Sequence, residues 1–222
     1  MLSSVMARIA LIHATPAAVE PIKSAFADAW PEPDLVNLLD DSLSRDRALS
    51  SELTDSMYGR FDAMGQYAMS IGADGILFTC SAFGPAIDRV ARAVPIPVLK
   101  PNEAMLAEAL AIGGRIGMLA TFEASIPSMT AEFATAVANS GAAVTLESVF
   151  VPHAMAALLA GKRDHHDALI EQAAPALAHC DAIMLAQFSM APAAERVREQ
   201  MPGVPILTSP GSAVTAMKAR IR

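Results

Sequence analysis

The chain has 222 residues and a formal charge of −7, from 16 basic and 23 acidic side chains. Hydrophobic residues make up 53% and charged ones 18%, enough for a sizeable core and too apolar for a disordered chain. The few Lys and Arg are scattered, which argues against nucleic-acid or anionic-membrane partners, and no apolar run approaches the ~20 residues of a membrane span.

RIALIH (8–13), followed by Thr15-Pro16, predicts a buried strand and then a turn into a helix with Pro near its first position. After the breaker Pro31-Glu32-Pro33, DLVNLL (34–39) predicts a second strand. Leu49, Leu53, Met57, Phe61, Met64 and Ile71 recur at helical spacing, so one long amphipathic helix is expected over 45–71, ended by Gly72. GILFT (75–79) is apolar at successive positions, as a strand covered on both faces would be. A helix over about 84–93 follows, then a short strand around Pro97-Val98-Leu99. Further strands are predicted at 115–120, 143–149, 182–186 and 204–207, separated by helical patterns, with a last helix over 209–221. Helices in place of hairpins imply parallel sheets.

Two cysteines do not make a disulfide framework, so a reducing cytoplasm is expected, and no metal motif such as CxxC or HExxH occurs. The opening MLSSVMARIALIHATP holds only a six-residue apolar run, shorter than a signal peptide needs.

The sequence also repeats itself. ADGILFTCSAFGPAIDRV (73–90) aligns with CDAIMLAQFSMAPAAERV (180–197), a shift of 107 from 73 to 180. The shift pairs Asp74 with Asp181, Pro85 with Pro192 and Arg89 with Arg196, and it also pairs Arg8-Ile9 with Arg115-Ile116. One inserted residue later, Pro97-Val98-Leu99 meets Pro205-Ile206-Leu207. Any two βα units share a pattern, but a single shift linking separate segments points to duplication. The fold expected is α/β: two domains related by a pseudo-twofold axis, each a four-stranded parallel sheet flanked by helices. Ligands of such sheets bind outside the carboxyl ends of the strands, so a cleft between the halves would present Thr79-Cys80-Ser81-Ala82 and Ala186-Gln187-Phe188-Ser189 to one ligand.

FTCSAFG after the GAD-initiated strand, RIGMLAT (115–121), and the second strand-loop at the repeat position resemble the aspartate/glutamate/hydantoin racemase superfamily, which includes maleate isomerases and arylmalonate decarboxylases. The resemblance covers nearly the whole chain. It implies a first domain of residues 1–101 plus 209–222 and a second of 102–208, with the site between them. It also implies two thiols, one per half, flanking the α-carbon of a small carboxylate or cyclic amide. No metal or organic cofactor, nucleic acid or membrane is implied, and homo-oligomers are common.

The chain departs from that pattern where it matters most. Cys80 fills the first thiol position, but the shift of 107 puts Gln187 at the second, and an amide does no acid–base work. Cys180 lies seven residues before Gln187, roughly 23 Å away along an extended strand, and is read as a buried residue with no catalytic task. A thiol between a strand end and a helix N-terminus is expected to lean toward thiolate. Cys80 is therefore the expected acid–base group of a racemase-type isomerase. A decarboxylating lyase, in which loss of CO2 makes the carbanion and one proton must be supplied, is the alternative. A non-catalytic homologue that binds small acids is another.

Several neighbours are candidate substrate-binding residues. Thr15 follows the first strand, although it reads equally as the cap ahead of Pro16. Ser81 and Ala82 can offer N–H groups to an oxyanion, and Phe188 and Ser189 can do so from the other half. Gln187 can hydrogen-bond a carboxylate or amide. Thr121 ends its strand, and Ser125 sits where the resemblance places a substrate-binding hydroxyl or, more plainly, the cap of the helix at Pro127. Phe83, Phe122, Phe188 and Met190 are expected to set pocket size. His13 and His153 end strands and are read as structural, His165-His166 as a solvated helix start capped by Asp164, and Lys100 as a surface lysine.

Overall fold

Strand β1 (Arg8–His13) is buried from Ile9 onward and lies between β2 (Asp34–Leu39) and β3 (Gly75–Phe78), with β4 (Val98–Leu99) beyond β3. Every pairing is parallel. The chain reaches each next strand through helices: α1 (Val19–Ala29), α2 (Ser42–Ala48), α3 (Asp55–Ser70) and α4 (Gly84–Ala93). Helix α5 (Glu103–Ile112) then leads into a second sheet of β5 (Gly114–Ala120), β6 (Val144–Phe150), β7 (Ala182–Leu185) and β8 (Ile206–Thr208). Its helices are α6 (Ile126–Ser140), α7 (Ala154–Leu159), α8 (Arg163–Ala173) and α9 (Ala194–Gln200), and α10 (Ser209–Ile221) follows β8. This computed structural model describes residues 6–221, so five residues of the opening stretch and the last residue of the expected first domain lie outside it. Among the described residues no helix is long and apolar enough to cross a membrane.

The two sheets have the same order, β2-β1-β3-β4 and β6-β5-β7-β8. Ile9 pairs with Gly75 in one, and their counterparts at the shift of 107, Ile116 and Ala182, pair in the other. The equivalence extends to a side chain. Asp74 accepts the Arg8 N–H at 2.8 Å, and Asp181 accepts the Arg115 N–H at 2.7 Å. Asn102 and Ser209 stand at the starts of α5 and α10, the helices that follow the equivalent strands β4 and β8, and they hydrogen-bond each other at 2.6 Å. Equivalent helix starts that touch lie beside the pseudo-twofold axis.

The helices at this axis divide between the sheets. Met105, Leu106 and Ala109 of α5 join the second sheet's core with Ile116, Met118 and Met184. Ala213, Val214 and Met217 of α10 return to the first sheet's core with Ile9, Leu11 and Leu77. Two aromatic side chains of the second lobe also cross over. Phe188 is buried in the core that holds Ile9, Phe26 and Trp30, and Phe122 packs against the one that holds Phe61, Phe78 and Phe83. Their counterparts in the first lobe are the small polar Ser81 and Thr15, so the aromatic stapling runs one way.

The long helix expected over 45–71 is two helices. The segment between α2 and α3 leaves helical conformation, and Thr54 restarts the chain by accepting the Met57 N–H at its side-chain oxygen. Leu49 and Leu53 fit the apolar spacing, but Leu49 lies 89% exposed on the connecting loop. A local cap thus overrides a periodicity that continues across it.

Candidate active site

Both sequence-marked loops occur where parallel strands deliver them, at the carboxyl ends of β3 and β7. Cys80 precedes a 3-10 turn (Ser81–Phe83) that packs against α6 and the turn at 123–125 of the other lobe. Gln187 precedes the turn Phe188–Ala193, which packs against α1, α10 and the turn at 16–18. Each loop is therefore seated on the opposite lobe.

Cys80 keeps part of its surface open but is closely surrounded by protein. Burial pushes its thiol up to about 11, while the Ala82 N–H, the Ser44 hydroxyl and the Arg47 guanidinium act in the opposite direction. The Ser44 proton can serve only one acceptor at a time. It goes to the Ala14 carbonyl at 2.7 Å and supports a thiolate only when turned to the sulfur. The expectation of a thiolate is thus corrected. Only a three-residue 3-10 turn follows Cys80, α4 does not start until Gly84, and desolvation outweighs what remains of the dipole.

Arg47, which the sequence reading passed over, lies on α2 and is only 6% exposed. Its Nε donates to the Ala82 carbonyl at 3.2 Å and its Nη1 to the Ser50 carbonyl. Among the described residues it forms no ion pair, an expensive state for a buried cation. Arg47 lines two cavities between the lobes. One, of about 820 Å³, is also walled by Ala82, Gly84, Lys100 and Glu132. The other, of about 570 Å³, has Leu49 and Ser51 on one side and Thr121, Phe122, Pro127 and Phe150 on the other. Neither Cys80 nor Gln187 lines either cavity.

Gln187 works inside the second lobe. Its Oε1 accepts from the Thr121 N–H at 2.8 Å and hydroxyl at 3.2 Å, and its Nε2 donates to Ser125 Oγ at 2.7 Å. Ser125 in turn donates to the Phe122 carbonyl at 2.7 Å. One amide thus laces the loop after β7 to the loop after β5. The first lobe laces its strand ends differently: His13 Nδ1 meets Thr79 Oγ1 at 2.8 Å and Nε2 meets Asn37 Oδ1 at 3.0 Å.

The scan of family models matches residues 9–140 to the Asp/Glu/Hydantoin racemase model. The chain belongs to the Asp/Glu/hydantoin racemase family. Solved structures share its fold across both lobes. Glutamate racemase from Francisella tularensis, solved with D-glutamate, aligns with a TM-score of 0.74 at 15% identity, over 96% of this chain and 80% of that one. Allantoin racemase from Klebsiella pneumoniae gives 0.68 at 18% over 96% and 86%. An aspartate racemase homologue from Pyrococcus horikoshii gives 0.64 at 16% over 97% and 99%. No curated protein matches by sequence.

Within this family fold the remaining candidates separate. Thr15 caps the turn at 16–18, accepting the Ala17 N–H at 3.4 Å. Ser81, Ala82, Ser125, Phe188 and Ser189 are all buried, and the Ala82 N–H points at the Cys80 sulfur. Of the four residues expected to set pocket size, Phe122 alone lines one of the two cavities, while Phe83, Phe188 and Met190 fill cores. His13 is a buried structural histidine and His153 an exposed one before α7. His166 is not solvated: it is fully buried, with Nδ1 2.6 Å from Asp167, because its turn of α8 faces the core. Asp164 pairs with Arg196 at 2.9 Å instead of capping. Lys100 pairs with Asp88 at 2.8 Å beside the larger cavity.

That cavity holds one carboxyl in a costly setting. Glu132 Oε1 is buried against Gly84 with no hydrogen-bond partner among the described residues. Burial raises its pKa to about 7; Lys100 opposes the shift, and Asp88 and Glu103 add to it. A carboxyl that holds its proton more tightly when folded stabilises the fold in acid and loses that contribution as pH rises from about 4 through 7, on the order of 1–3 kcal/mol. Glu132→Gln should therefore raise the melting temperature at pH 8 and change it little at pH 5. Equal shifts at both pH values would show that Glu132 is already charged in the fold.

Proposed function

We propose that this family member performs cofactor-independent carbanion chemistry at the α-carbon of a small carboxylate or cyclic amide, with Cys80 as its only acid–base thiol. The observation that carries the reading is the unequal pair of loops. Cys80 is a half-buried residue whose thiol feels a buried Arg47 that has no ion pair among the described residues, whereas Gln187 has its amide bound to Thr121 and Ser125. A substrate carboxylate would supply the anion that Arg47 lacks. Bringing that anion near also adds negative charge, which keeps the Cys80 proton in place.

With the thiol raised to about 11 by burial, the protonated form dominates at pH 7. The resting group is then a proton donor. This favours a second reading, a decarboxylating lyase, because loss of CO2 generates the carbanion without any base and the thiol need only protonate it. One-base racemisation demands that the same sulfur first accept a proton, with Ser44 turned toward it.

Incubation of 2-substituted malonates, amino acids and 5-substituted hydantoins in D2O separates the two. Stereospecific incorporation of one deuterium with CO2 release supports the lyase, and exchange without carbon loss supports the isomerase. Neither outcome with any of these classes would leave a binding protein.

Gln187→Cys tests the pairing of the loops. A second thiol there should create or raise exchange at the opposite face of the α-carbon. It should also cost about 1–3 kcal/mol of stability, because Thr121 loses its acceptor and Ser125 its donor. A folded variant with no gain in exchange would count against facing positions for 80 and 187.

A further inference from the structure

We propose that Glu147, His179 and Cys180 form a binding site for a divalent transition-metal ion of the Zn2+ type, between the middle of β6 and the entry of β7. A carboxylate oxygen, an imidazole nitrogen and a sulfur from these residues all lie within 4.8 Å of one another. Glu147 stands on β6, while His179 and Cys180 occupy the turn that enters β7. Strand β5 runs between those strands, and the residue directly beside Glu147 is Gly117. A Cβ at Gly117 would come to 2.9 Å from the Leu177 side chain, so glycine leaves room for the 174–177 turn to settle on the sheet and carry His179 and Cys180 across to Glu147. The turn is fixed by the Cys180 N–H on the Leu177 carbonyl at 3.0 Å and by the Asp181 N–H on the Arg115 carbonyl at 2.7 Å.

The donor set selects the ion. One thiolate, one imidazole and one carboxylate suit Zn2+ and its neighbours, whereas Mg2+ and Ca2+ want oxygen alone. Tetrahedral zinc sets neighbouring ligand atoms about 3.3–3.6 Å apart. His179 Nε2 and Glu147 Oε2 are 2.8 Å apart, sharing a hydrogen. An ion would take the place of that hydrogen and spread the pair slightly. These two side chains are exposed and free to adjust, while Cys180 is buried and anchors the site. The balance is simple. The thiol releases its proton to solvent, the neutral imidazole exchanges its Nε2 proton for one on Nδ1 through solvent, and carboxylate plus thiolate neutralise the 2+ charge. A water completes the fourth position. The bound ion would pin β6, the edge strand, to the entry of β7.

Co2+ is the probe, titrated into the metal-stripped full chain with its thiols reduced. One equivalent should give a near-ultraviolet thiolate-to-cobalt band that Zn2+ abolishes. Cys80→Ser should keep the band and Cys180→Ser should lose it. His179→Ala and Glu147→Gln, both at exposed positions, should weaken binding at least tenfold with circular dichroism unchanged. No band in the unaltered chain, a band that survives Cys180→Ser, or full affinity in His179→Ala would overturn the assignment.

Discussion

Cys80→Ala should reduce α-proton exchange or CO2 release by about 10²- to 10⁴-fold, the usual worth of a positioned acid–base group. The backbone at Cys80 is extended, with φ −122° and ψ 120°, a conformation alanine adopts as easily. The substitution removes one sulfur from the edge of a core that is otherwise complete, so folding should change by about 1 kcal/mol or less. The Ala82 N–H loses its weak sulfur acceptor, which is part of that cost. Turnover of the best substrate would be followed by NMR in D2O alongside the melting temperature. A folded Ala variant with undiminished turnover would remove Cys80 from the chemistry.

Phe188→Ala carries the largest expected loss of stability, about 3–5 kcal/mol in denaturant unfolding. The ring belongs to a turn of the second lobe, yet it is 1% exposed within the first lobe's core, against Ile9, Phe26 and Trp30. Its loss leaves a cavity and removes one of two aromatic staples between lobes. Gln187, its neighbour, would lose its fixed position as well, so the Thr121 and Ser125 ties should loosen. The unfolding transition should broaden, because coupling between the lobes weakens. A loss below 1 kcal/mol would mean that the core collapses around the gap.

The inner strands β1, β3, β5 and β7 were legible in the sequence because burial on both faces writes itself as short continuous apolar runs, and because the duplication matches the first two to the second two. RIALIH and DLVNLL occupy β1 and β2 residue for residue. The 45–71 stretch misled because apolar spacing was preserved across a loop, and only the Thr54 cap betrays the break. Arg47 went unnoticed for the same reason: placed within one long helix it reads as a solvated charge, whereas on α2 it is buried against Ala82. The position of Cys80 could be read, but its protonation state could not, since desolvation depends on atoms brought in by Ser44, Arg47 and Ala82 from elsewhere in the chain. Phe188 was recognised as a loop aromatic. Which core it fills is a property of the packing between halves, and no local pattern encodes it. The grouping of Glu147 with His179 and Cys180 spans 32 positions between Glu147 and His179 and needs the strand order to become visible.

The return of α10 to the first sheet has a consequence for biosynthesis. The second lobe is made from one unbroken stretch, α5 through β8, and can close as it leaves the ribosome. The first lobe cannot. Its Ile9, Leu11 and Leu77 face waits for Ala213, Val214 and Met217, which are translated after the whole second lobe. At typical elongation speeds the interval from Leu99 to those residues is on the order of ten seconds. Of the two lobes, the one begun first is therefore finished second, and a nascent chain stalled between Leu99 and residue 209 would offer that sticky surface to chaperones or to its neighbours on the same message.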